Sequence, residues 1–168
     1  KNVTSQNDLF LRFLWEVSKN KIGIENKWML MTKGGEYRKY YGNTINIMNW
    51  SVEAIQFYRK SKAARLIPEY LWYYKGITWA KMSSGASFRL LENNCTFDEV
   101  NITFNEDKYI PLILAFLNSK IPNTIFKILN PTSSLQTENI LELPIANDLL
   151  DLIDNDIFLN LISLSKSD

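Results

Sequence analysis

Residues 75–89 hold the side chains best suited to chemistry in this sequence. The run reads Lys-Gly-Ile-Thr-Trp-Ala-Lys-Met-Ser-Ser-Gly-Ala-Ser-Phe-Arg. It starts as a strand, passes through a small-residue loop and re-enters a strand at Phe88 and Arg89. Alternation sends Ile77 and Trp79 to one face and Thr78 and Ala80 to the other. Ser83, Ser84 and Ser87 with Lys81 and Arg89, and no carboxylate, make a set of donors fit for an anion or for base edges. The plain alternative is a β-hairpin with a polar turn. A second set spans residues 32–43, where Lys33, Arg38 and Lys39 interleave with Tyr37, Tyr40 and Tyr41 around Gly34, Gly35 and Gly42. Lys and Arg neutralise phosphates, and Tyr stacks or donates a hydroxyl. The glycines do not make a phosphate-binding loop, because the G-x-x-x-x-G-K spacing is missing.

Other chemistries find little support. The chain has no histidine, which removes the commonest general base, the Ser-His-Asp and Cys-His arrangements and the usual zinc ligands. A lone cysteine, Cys95, excludes an internal disulfide and a cysteine metal cluster. Asp98 and Glu99 are adjacent carboxylates without a surrounding acidic motif, and read as surface charge.

The elements that must position these groups read as a mixture. Leu9, Phe10, Phe13, Leu14 and Val17 have helical spacing from Asp8, with Asn7 or Asp8 as cap. Residues 28–31 and 45–50 read as strands, and Ser51 caps a helix running to about Ala64. The basic end of that helix suits the helix dipole better than a phosphate. Residues 88–91 and 97–102 read as strands joined by a turn at Asn93-Asn94. A helix follows Asp107, Pro122 opens the next, and residues 140–145 read as an extended edge interrupted by Pro144. Residues 147–164 form an acidic amphipathic helix with Leu149, Leu152, Ile153 and Leu159 on one side. Without a βαβ alternation, the pattern predicts an α+β fold with an irregular, mainly antiparallel sheet and packed helices. Residues 1–146 are expected to form one domain, with the helix of 147–168 packing on it or on a neighbour.

Length, 168 residues, and 46% hydrophobic content suit a folded globular protein. No apolar run reaches membrane-spanning length and no signal peptide opens the chain, so the expected compartment is the cytoplasm. Net charge is +1 but uneven: residues 1–95 carry 15 Lys or Arg against 7 Asp or Glu, and residues 96–168 carry 4 against 11. That asymmetry points to an anionic partner, or to attraction between the halves.

The order of short motifs resembles the target-recognition region of bacterial adenine-specific DNA methyltransferases, the BREX phage-defence enzymes and related single-chain restriction–modification enzymes. The residues that carry it are Phe10-Leu11-Arg12, Trp15-Glu16-Val17, residues 33–43, Asn49-Trp50, Gly76-Ile77-Thr78-Trp79, Ser83-Ser84 and Ser87-Phe88-Arg89. Leu117-Asn118-Ser119-Lys120, Leu129-Asn130-Pro131-Thr132 and Leu143-Pro144-Ile145 follow in the same order. Thr4-Ser5-Gln6-Asn7 departs from the family's Thr-Gly-Asp-Asn, and Ser133-Ser134-Leu135-Gln136 keeps only the Gln of Leu-Asn-Phe-Gln. The Asn-Pro-Pro-Tyr catalytic motif and the glycine-rich cofactor motif are missing, so the resemblance implies a non-catalytic piece of a longer enzyme.

On this resemblance the partners are double-stranded DNA and the catalytic methyltransferase domain of the same parent chain. The parent would use S-adenosylmethionine, and this piece would bind no cofactor or metal. Thr78, Ser83, Ser84, Ser87 and Arg89 would reach base edges, while Lys33, Arg38, Lys39 and Lys81, with Tyr37 beside them, would hold the backbone. The alternative is a protein-interaction module of a defence complex, using the aromatic surface and the acidic last helix.

Overall fold

The computed structural model describes residues 7–62, 64, 66–81, 85–97, 101–129, 134–145 and 155–167. The fold is α+β, and its chain divides into two compact units.

Unit 1 comprises Lys1–Lys33, Thr44–Tyr74 and Glu92–Glu99. Its four-stranded sheet has the order β1 (Leu11–Phe13), β3 (Asn46–Asn49), β2 (Trp28–Thr32), β6 (Cys95–Phe97), antiparallel except for the β2–β6 pair. Ser51 caps α2 (Val52–Lys60), its hydroxyl accepting the Ala54 N–H at 3.3 Å. Met29, Met31, Met48 and Trp50 meet Ala54 and Tyr58 in a core rich in adaptable methionine side chains. The Tyr58 hydroxyl donates to the Asn49 carbonyl at 2.8 Å, and burial raises its pKa.

Unit 2 comprises Gly34–Asn43, Lys75–Leu91 and Val100–Asp168. In its antiparallel sheet β4 (Gly76–Trp79) lies between β5 (Phe88–Leu91) and β7 (Asn101–Thr103). The helices are α3 (Ile110–Leu117), α4 (Lys120–Leu129), α5 (Thr137–Leu141) and α6 (Asn155–Ser167), after a single turn α1 (Asn7–Phe10) in unit 1. Ile77, Trp79 and Phe88 bury one sheet face against Ile110, Leu114, Leu117, Phe126 and Ile162. Each fully buried side chain of this size contributes roughly 1.5–3 kcal/mol relative to exposure. Gly76 is required at the centre: a Cβ there would lie 2.1 Å from the Ile102 carbonyl oxygen.

The structure departs from the sequence expectations at four places. The helix from Asp8 to Val17 reduces to α1, because Leu11–Phe13 is drawn into register with Met48, Ile47 and Asn46 of β3. The run at 97–102 is not the return strand of a hairpin with β5. Cys95–Phe97 pairs with β2 in unit 1, and Asn101–Thr103 pairs with β4 in unit 2. Residues 140–145 are not an extended edge: Asn139 Oδ1 accepts the Gln136 N–H at 3.0 Å and starts α5, and the three-residue spacing puts both Ile140 and Leu143 in the core. In α6, Ile162 is the core residue, while Leu159 faces solvent; Leu149, Leu152 and Ile153 lie outside the described residues.

The charge asymmetry along the sequence does not become one between units. Unit 1 carries ten Lys or Arg against eight Asp or Glu, and unit 2 nine against ten.

Candidate nucleic-acid interface

The segment Gly34–Asn43 is wound tightly. Gly34, Gly35 and Gly42 have φ of 59°, 111° and 121°, and Tyr40 and Asn43 share the left-handed region at 67° and 60°. Asn43 closes the turn by donating from Nδ2 to the Glu36 carbonyl at 2.8 Å. At Gly42 a Cβ would meet the Arg38 side chain at 2.6 Å, so glycine makes room for that arginine.

The wound segment is fastened to β5. Tyr40 N–H donates to the Phe88 carbonyl, and Leu90 N–H donates to the Tyr40 carbonyl, both at 2.8 Å. The Arg38 N–H reaches Ser87 Oγ at 3.3 Å, and the Tyr37 ring lies in van der Waals range of the Gly85 position. Residues 34–43 and the described part of residues 75–89, which the sequence offered separately, thus form one rim within unit 2.

The cations of this rim are held by carbonyls. Arg38 Nη2 donates to the Ser165 carbonyl at 3.2 Å, near the end of α6. Lys39 Nζ donates to the Asn118 carbonyl at 2.7 Å, just past α3. A cation at a helix C-terminus meets the negative end of the dipole, a favourable contact. Arg89 is 0% exposed and donates from Nη2 to the Gly34 carbonyl at 3.2 Å, while Nε and Nη1 have no partner among the described residues. Burial lowers its pKa to about 10, so it remains protonated at neutral pH. None of the three forms an ion pair with a described carboxylate.

The other candidates are dispersed. Thr78 is the cross-strand neighbour of Arg89 and is buried, as is Ser87. Trp79 packs in the core, its indole N–H donating to the Leu135 carbonyl at 3.1 Å. Lys81 is half-buried and its carbonyl accepts the Leu135 N–H at 2.9 Å. Tyr37 is 54% exposed. Lys33 is exposed but belongs to unit 1. Ser83, Ser84, Asp98 and Glu99 lie outside the described residues.

Sequence reasoning missed Asn118. This buried amide acts as a substitute strand partner for Phe88, accepting its N–H on Oδ1 at 3.0 Å and donating from Nδ2 to its carbonyl at 2.9 Å. Nδ2 also donates to the Leu114 carbonyl at 3.1 Å. A lone amide directly after the apolar run of α3, within the Leu117-Asn118-Ser119-Lys120 motif, is the available signal.

Among the described residues no cluster of three or more potential metal ligands occurs, and no helix is long and apolar enough to cross a membrane. No protein-family model matches the chain. It is 33% identical over 171 residues to the adenine-specific methyltransferase BrxX of Escherichia coli O9:H4 (strain HS), a match that covers 96% of this chain. It is 31% identical over 161 residues to the adenine-specific methyltransferase PglX of Lacticaseibacillus casei (strain Zhang), covering 85% of this chain. The chain spans only 14% and 13% of the lengths of these two relatives. Over most of its length, the chain is therefore homologous to one region of BREX-type adenine-specific methyltransferases.

Proposed function

We propose that this chain is the DNA target-recognition part of an adenine-specific methyltransferase of a phage-defence system. It would bind duplex DNA while a catalytic domain of the same parent chain, using S-adenosylmethionine, modifies the base. One observation carries the reading: two donor-rich segments about thirty residues apart share one rim of unit 2, where Arg38, Lys39 and Arg89 meet carbonyls and no described carboxylate. Cations that no described carboxylate offsets give the rim a positive field that attracts phosphates, even where the side chains themselves are engaged inside unit 2. Homology to adenine methyltransferases supports DNA as the partner.

Within the rim we assign different roles. Tyr37 and Lys81 reach solvent and would touch DNA, with Ser83 and Ser84 in the same connection. Arg38, Lys39, Ser87 and Arg89 act chiefly by holding the rim's shape, since each already has a partner inside unit 2. Thr78, buried beside Arg89, supports β4 rather than reaching a base. Lys33 of unit 1 is a further phosphate contact.

The test is a salt titration of binding to a mixed pool of duplexes, wild type against Lys81→Ala. The affinity should fall steeply with salt, and the slope of log K against log salt should drop by about 1 in the variant. Binding without salt dependence, or a slope unchanged by Lys81→Ala and Lys33→Ala together, would refute the assignment.

A further inference from the structure

Unit 1 carries a pair of aromatic rings that its own core does not use. Phe13 and Trp15 stack with centroids 4.7 Å apart and planes within 4° of parallel. They are 46% and 69% exposed, so the Trp15 face turned away from Phe13 is open. The pair is rigidly mounted. Phe13 stands opposite Asn46 in the β1–β3 register, and Leu14 N–H donates to the Ile45 carbonyl at 2.8 Å. Glu16 turns back to accept the Phe13 N–H at 2.5 Å, closing the short turn that sets the two rings side by side. Two large rings held in order in water, instead of collapsing onto the core, are poised for a planar ligand.

The surroundings indicate which ligand. Arg12, Lys33 and Asn46 line the groove beside Phe13, together with Asp8 and Glu16. The Arg12 guanidinium donates to the carbonyls of Asp8 and Leu11, Lys33 has no ion pair among the described residues, and the Glu16 carboxylate is engaged by a backbone N–H. The cations thus line the groove beside Phe13, the ring on which Trp15 stacks, and neither is paired with a described carboxylate. An aromatic platform beside cations suits a base on its sugar-phosphate. A protein hot spot is instead ringed by contacts that exclude water.

We propose that the Phe13–Trp15 stack is a binding platform for an unpaired nucleobase, with Arg12 and Lys33 holding the neighbouring phosphates. This rests on the reading of the chain as a DNA-binding segment and adds a second contact, in unit 1, to the rim of unit 2. Such a platform would hold a base that has left the helix, a different task from reading base edges in the groove.

The test compares binding of the 168-residue chain to two labelled duplexes that differ only by one extrahelical adenine, measured by fluorescence anisotropy. Wild type should bind the bulged duplex about tenfold more tightly, the size expected for one base on one aromatic ring. Trp15→Ala should abolish the preference and Trp15→Phe should restore most of it. Equal binding of the two duplexes, or a preference that survives Trp15→Ala, overturns the platform while leaving the duplex reading intact. Binding of the bulged duplex alone, through Trp15, supports the platform and refutes the duplex reading. Binding of neither overturns both. Self-association lost in Trp15→Ala, with no bulge preference, would assign the stack to a protein interface and overturn the proposal.

Discussion

Replacing Asn118 by alanine removes three side-chain hydrogen bonds, two that join the end of α3 to β5 and one that runs back to the Leu114 carbonyl of α3. The consequences differ by partner. The Phe88 carbonyl still receives the Tyr40 N–H, and the Leu114 carbonyl still receives the Asn118 N–H. The Phe88 N–H, buried in the core, is left with nothing. An orphaned buried donor costs about 1–3 kcal/mol, and the two partly compensated bonds add about 0.5–1 kcal/mol each, for a total of about 3 kcal/mol. With an m-value of about 2 kcal/mol/M, the urea midpoint of unit 2 should fall by about 1.5 M. Native-state hydrogen exchange locates the effect. The Leu90 amide, bonded to Tyr40, should exchange about 100-fold faster, whereas the β2–β3 amides of unit 1 should be unchanged. Lys39 bonds to the main chain of Asn118, so its anchor survives the substitution. A midpoint shift below about 0.3 M would show that the amide does not hold β5 and does not support the rim.

Gly76→Ala should cost about 2 kcal/mol or more, because the new methyl would collide with the Ile102 carbonyl and part β4 from β7; a thermal melt lower by several degrees checks it. Arg89→Met should raise the urea midpoint while weakening DNA binding, since it removes a buried cation with two unpartnered N–H groups. The pH dependence has a definite sign. The folded-state pKa lies below the ordinary 12.5, so the unfolded chain binds more protons above about pH 10. The full penalty therefore holds below about 10, and the stability gap between Arg89→Met and wild type should narrow as pH rises beyond it. Cys95 is buried, and burial pushes its thiol up to about 12, so it should resist a thiol reagent at pH 8 and react at once in denaturant.

Local chemistry was legible without coordinates wherever one short stretch decided the outcome. The strands at Trp28 and Gly76, the Ser51 cap and the helices around Ile110 and Pro122 follow from spacing and capping residues, which act within a few positions. The turn-rich character of residues 34–43 is equally local, because glycine and asparagine tolerate left-handed backbone. Homology, too, was visible in the order of short motifs.

What only the tertiary structure decided depends on pairings across the chain. Leu11–Phe13 has helical spacing, yet it becomes a strand because β3 offers it a ladder. Cys95–Phe97 and Asn101–Thr103 lie four residues apart and join different sheets. In the sequence, Arg38 and Lys39 stand in a glycine- and tyrosine-rich stretch and Arg89 at the start of a strand, all as candidate DNA contacts. Their carbonyl partners lie 127, 79 and 55 residues away, and no local pattern predicts such distances. The excess of positive charge in residues 1–95 dissolves for the same reason: the chain passes repeatedly between the two units, so neighbours in sequence are shared out between them. Sequence specified the donors and the aromatic rings, and long-range packing decided which of them face inward to hold the rim and which remain open to a ligand.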